Sequence, residues 1–131
     1  MDELEKERIV AGCLEYLRAV ELPLPLPTNA AEYASWSDEA RKRPQPDENA
    51  EEAWFDLDRM IADGPDDAWE IIRELSARPM SENQCAALAA GPVWTFFHAH
   101  QATYASRIEE ELSRNSGFRK AYRWSRFNDG S

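Results

Sequence analysis

The chain has 131 residues, 43% of them hydrophobic, with five tryptophans, two cysteines and a formal net charge of −10. That size and apolar content suffice for a core without disulfides or metals, so residues 1–131 are expected to form a single helical domain. No run approaches the about 18 apolar residues of a membrane span, the acidic start Met1-Asp2-Glu3-Leu4-Glu5-Lys6-Glu7 excludes a secretory or mitochondrial leader, and the charge disfavours nucleic acid and anionic membrane as partners.

The first predicted helix runs from about Asp2 to Val20, with Ile9, Cys13, Leu14 and Leu17 on one face. Pro23, Pro25 and Pro27 then alternate with Leu22, Leu24 and Leu26, which forbids helix and predicts an extended segment packed down by its leucines. Between Thr28 and Arg43, helix starters at Thr28 and Ser37 predict one or two short helices carrying Tyr33 and Trp36. Residues 22–46 together read as a proline-containing, partly irregular segment and a candidate insertion. A clearer helix follows from Asp47 to Ala62, where Trp54, Leu57 and Ile61 fall at i, i+3 and i+7 and Glu48, Glu51, Glu52, Asp56 and Asp58 occupy the other sides.

Asp63-Gly64-Pro65-Asp66 reads as a helix stop followed at once by a start, with glycine in the left-handed conformation and proline at the first helical position. The next helix, Asp66 to Ala77, buries Trp69, Ile72 and Leu75. Ser81 and Gln84 have capping-box spacing and predict a short helix from Glu82 to Ala90. Gly91-Pro92 repeats the stop-start signal, after which Val93, Trp94, Phe96 and Phe97 form a cluster wide enough to be buried nearly all round. Tyr104, Ile108 and Leu112 define one more amphipathic helix, with Arg107 and Glu109 to Glu111 towards water. Asn115-Ser116-Gly117 is expected to break it. The closing helix, about Phe118 to Arg126, docks through Phe118, Tyr122, Trp124 and Phe127 and leaves Arg119, Lys120, Arg123 and Arg126 in water. No segment alternates like a strand. The fold class is therefore all-α: seven or eight short helices in antiparallel hairpins, as a compact bundle or small solenoid-like array.

Asp66-Asp67-Ala68-Trp69-Glu70-Ile71-Ile72, Leu88-Ala89-Ala90-Gly91-Pro92-Val93, Arg107-Ile108-Glu109 and Phe118-Arg119-Lys120-Ala121 with Trp124 occur in this order. As a set they resemble a bacterial family of small helical domains of unknown function, over about residues 47 to 127. The resemblance implies a helical fold and a bacterial cytoplasmic origin, and no activity. After the Gly-Pro, members of that family carry a leucine and an acidic pair where this chain has Val93-Trp94-Thr95, so a role of those carboxylates does not carry over.

Residue chemistry points away from catalysis. Cys13 and Cys85 form no CxxC pair and lie within apolar helical patterns, as buried reduced thiols of a cytoplasmic protein do. His98 and His100, at i and i+2, point about 200° apart on a helix and cannot converge on one metal, so no metal and no cofactor is predicted. Asp56–Arg59, Glu70–Arg73 and Arg107–Glu111 have the spacing of ordinary surface pairs. No nucleophile elbow or phosphate-cradling glycine loop is present, and no catalytic residue is assigned.

The acidity is local: residues 1–65 carry sixteen acidic against seven basic side chains. The leading expectation is a protein-interaction module that recognises a basic partner protein through Glu48, Glu51, Glu52 and Asp56, with Trp36 beside Tyr33 as an aromatic anchor. An immunity protein masking the cationic active site of a nuclease is its concrete form. The alternative is a structural domain that forms a homodimer through an apolar patch at Trp94, Phe96 and Phe97. A third reading is a small enzyme or ligand-binding domain, in which His98 or His100 shares a cleft with a carboxylate.

Overall fold

The computed structural model describes residues 2–19, 27–42 and 46–127, with backbone alone at Ala40, Trp124, Arg126 and Phe127. The extended reading of Leu22 to Leu26 and the anchoring roles of Trp124 and Phe127 lie outside what is described. Among the described residues the regular structure is entirely helical. It comprises α1 (Glu3–Ala19), α2 (Ala30–Arg41), α3 (Glu48–Asp63), α4 (Pro65–Ala77), α5 (Glu82–Leu88), a π-helical turn (Ala89–Val93), α6 (Trp94–His100), α7 (Ala105–Arg114) and α8 (Ser116–Phe127).

Most starts are fixed by short polar side chains. Asp2, Asn29, Asp47, Ser81 and Asn115 each accept from the backbone N–H three residues ahead, at 2.8–3.2 Å, satisfying one of the donors a helix leaves orphaned. Gln84 returns the favour to the Ser81 N–H at 3.0 Å, completing the predicted capping box. Residues 30–41 form one helix rather than two, because Asn29 and not Thr28 caps it. Thr28 instead donates its N–H and hydroxyl to the Glu32 carboxylate, and Ser37 lies inside the helix.

α4 is the central helix, with Ala68, Trp69, Ile71, Ile72 and Leu75 all buried, so it can be covered on several sides. Trp69 is the hub of an aromatic cluster: its ring lies 5.4 Å from Phe96, 5.4 Å from Phe118 and 6.1 Å from Tyr104. On the other side α1 packs along α3 closely enough that a Cβ at Gly12 would overlap that of Ala53, and the buried Cys13 thiol donates to the Ala53 carbonyl at 3.6 Å. Cys13 and Cys85 are both buried and free, and burial pushes the Cys13 thiol up to about 12.

The two glycine-proline junctions differ from the expectation and from each other. Gly64 sits at φ −142°, ψ 66°, not left-handed. It closes α3 by donating to the Met60 carbonyl at 2.8 Å, and its own carbonyl accepts from Ala68 at 3.1 Å to open α4. Pro65, at the first position of α4, has no N–H, which removes the donor that the Ile61 carbonyl would otherwise find four residues on. His100 replaces it from another helix, its Nε2–H donating to Ile61 O at 2.6 Å. Substituting His100→Ala is therefore expected to cost about 1–3 kcal/mol for the unsatisfied carbonyl. In a Pro65→Ala background, where an N–H is restored, the cost should shrink. A double-mutant cycle by urea unfolding measures this, and additive effects would refute the assignment.

Gly91-Pro92 does not break the helix at all. Leu88, Ala89, Val93 and Trp94 all keep right-handed helical dihedrals, and the chain runs from α5 through the π turn into α6. The Trp94 N–H reaches back five residues to the Ala89 carbonyl, so the turn widens around Pro92, which cannot donate. Gly91 is needed there for proximity, since a Cβ would lie 3.1 Å from Cζ2 of Trp54. Trp94 is correspondingly not core: it is 38% exposed and stacks on His98 at 4.1 Å.

Candidate partner-binding face

The sequence of α3 dictates a two-sided helix. Ala50, Ala53, Leu57 and Ile61 are buried against the body, and Glu48, Glu51, Glu52, Asp58, Arg59 and Ala62 are exposed. At 100° per residue those exposed positions fall within an arc of about 120°. Phe55 lies in the middle of that arc and is 59% exposed. The sequence reading missed it, although the same helical projection that buries Leu57 puts Phe55 among the acids. Among the described residues, no side-chain hydrogen bond or ion pair holds Glu48, Glu51, Glu52 or Asp58.

Asp56 is different from its acidic neighbours. It sits at the edge of the face, its side chain 15% exposed, and takes Arg8 of α1 at 2.9 Å and Arg59 of its own helix, the pair expected from i, i+3 spacing. Its job is to tie α1 to α3, and it is not a free surface charge. Arg8 also borders a groove of about 400 Å³ between the two helices, walled by Ala11, Gly12 and Ala50. Trp36 is half-buried and lies 5.9 Å from Tyr33 in a tilted pair, while Tyr33 is the exposed member. Trp54 is likewise half-buried rather than core, stacked on Tyr16 at 4.4 Å.

A second polar feature lies across the molecule, a cleft of about 510 Å³ between α4, α7 and the start of α8. Its floor is Glu111, only 3% exposed, which corrects the expectation of a solvated Glu109 to Glu111 face. Arg73 Nε donates to Glu111 Oε1 at 3.0 Å, Arg114 Nε to the same oxygen at 2.7 Å, and Asn115 Nδ2 to Oε2 at 2.9 Å. Burial pushes the Glu111 carboxyl up, and the bonds from Asn115 and Arg114 with the charge of Arg73 more than offset this, leaving it below its ordinary range. The guanidiniums are balanced further by Glu70 on Arg73 and Glu110 on Arg114, both at 3.1 Å. Arg107, expected on Glu111, instead donates to Asp66 at 3.0 Å with its guanidinium 4.8 Å from the Tyr104 ring centre. Tyr104 donates to the same Asp66 oxygen, and these bonds hold the Asp66 carboxyl below its usual value.

The histidines do not act together. His98 Nδ1 bonds the Trp94 carbonyl at 2.9 Å and His100 Nε2 that of Ile61, so each of these nitrogens carries a proton. Neither ring lines the cleft or the groove. Among the described residues, no cluster of three or more His, Cys, Asp or Glu is placed to hold a metal ion, and no helix is long and apolar enough to cross a membrane.

Comparison with known proteins returns no matching curated protein and no matching solved structure. One family model does match, over residues 41–124. That stretch takes in α3 with its acidic face, the α3–α4 corner, the π turn and the Glu111 cleft. The match extends over well over half of the chain, and the chain belongs to DUF6869, a family of unknown function.

Proposed function

We propose that the chain is a single-domain, cytoplasmic interaction module whose α3 face recognises a basic partner protein, as an immunity protein covers the cationic site of a nuclease. The acids alone do not support this, because Asp47, Glu48 and Glu51 at the start of α3 also favour the helix dipole. The observation that supports it is Phe55, an aromatic left 59% exposed among Glu48, Glu51, Glu52 and Asp58. Burying such a side chain is worth about 1.5–3 kcal/mol. Long-range attraction then sets the rate of encounter, and the ring gives the contact an apolar centre.

Titration against a panel of basic proteins at rising salt tests the reading. Affinity is expected to fall as ionic strength rises. The combined reversal Glu48→Lys, Glu51→Lys, Glu52→Lys is expected to weaken binding by a factor of about 100 or more, from like-charge repulsion across the interface. Binding that ignores salt, or survives the reversal, removes the proposal. Asp56 is left out of that variant because reversing it would detach α1.

The homodimer alternative loses one of its three contacts, since Phe96 is buried against Trp69. The enzymatic alternative needs a histidine and a carboxylate sharing a cleft, whereas His98 and His100 are each engaged by a backbone carbonyl.

A further inference from the structure

The charge of the α3 face calls for a cation, and its aromatic centre selects among cations. We infer that the segment which docks there is arginine-rich rather than lysine-rich, with a guanidinium laid on the Phe55 ring and hydrogen-bonded to the carboxylates of Glu51 and Glu52. This rests on the partner-binding reading of the same face.

The molecule contains a worked instance of the arrangement. Arg107 lies 4.8 Å from the centre of the Tyr104 ring and donates to Asp66 Oδ1 at 3.0 Å, so one guanidinium meets a ring and a carboxylate together. On α3 the ring and carboxylates are present in comparable proximity. Glu51 and Glu52 stand four and three residues before Phe55, and side chains so spaced are neighbours about 5–6 Å apart on a helix surface. Arg59, one turn beyond Phe55, is turned sideways onto Asp56. The ring is 59% exposed and open to a guanidinium from outside. A planar guanidinium can stack and form a forked bond at once, while an ammonium is a compact, strongly hydrated charge that does neither as well.

The test uses the full chain with fluorescent octa-arginine and octa-lysine peptides, read by anisotropy at several salt concentrations. Octa-arginine is expected to bind about two- to fivefold tighter for each stacked side chain. Phe55→Leu should abolish that preference while keeping the lysine affinity, and Tyr33→Leu, at the other exposed aromatic, should leave the preference intact. Thermal melts confirm that both variants are folded. Equal, salt-dependent binding of the two peptides overturns the arginine inference and leaves the basic-partner proposal standing. A preference that survives Phe55→Leu, or disappears with Tyr33→Leu, also overturns it. Failure of both peptides to bind removes the inference and the proposal together.

Discussion

Replacing Gly117 by alanine is expected to destabilise the fold by about 3 kcal/mol, the upper part of the range for overpacking, and to lower Tm by roughly 10–15 °C. The added methyl would overlap the backbone carbonyl oxygen of Ser76. A flexible side chain could swing away, but a carbonyl at the end of α4 moves only if α4 and α8 separate. Separation would loosen Phe118 and Ala121, both buried on the inner face of α8. Gly64→Ala is the matched control: there a Cβ meets nothing closer than 3.9 Å and the backbone is not left-handed. It should change stability by less than about 1 kcal/mol. Chemical denaturation of the two variants distinguishes a glycine held by contact from one held by backbone conformation. Similar losses for both would overturn the assignment.

Loss of the Glu111 carboxylate is expected to be comparably severe. Glu111→Ala should cost about 3 kcal/mol, at the low end of the range for breaking a buried ion pair because Arg73 and Arg114 still reach water. Three donors from α4, α7 and the α7–α8 link converge on this carboxylate, and Asn115 uses its other end to cap α8. Removing it unfastens three elements at one point. The pH dependence carries a definite sign. The folded carboxyl titrates below its ordinary value of 4.5, so the unfolded chain binds the proton first. The stabilisation is complete above that ordinary value and is lost as pH falls through the lower folded one. Urea unfolding between pH 7 and pH 3 should show this acid-side decline, reduced in Glu111→Gln. An unchanged pH profile in that variant would refute the role.

Much of the fold was legible because helical periodicity and capping chemistry act locally. The limits of α3 and α4, the capping box at Ser81 and the core position of Trp69 follow from side chains within a turn or two of one another. The glycine-proline junctions misled because one dipeptide serves two geometries. Gly64-Pro65 ends a helix with the help of a histidine 35 residues away, and Gly91-Pro92 continues one by widening it. Which occurs depends on what packs against the turn, Trp54 in the second case. Two site residues were readable and missed. On a helical projection Glu111 falls between Tyr104 and Ile108 on the apolar stripe, where a carboxylate implies buried partners. Phe55 falls among acids, where an aromatic implies exposure. The contacts of Arg73 with Glu111 and of Arg8 with Asp56 were not readable, since each joins helices through a tertiary packing that no local pattern records.

The π turn at Ala89–Val93 also changes how chain length matters in this region. A π turn accommodates one residue more than an α-helix would over the same rise, and everything beyond it is phased to that extra residue. In α geometry, one residue fewer would carry Phe96 about 100° around the axis, away from Trp69 and towards solvent. A stretch whose glycine and proline suggest a tolerant linker is therefore a place where the residue count is fixed, and the register of α6 against the aromatic cluster is the reason.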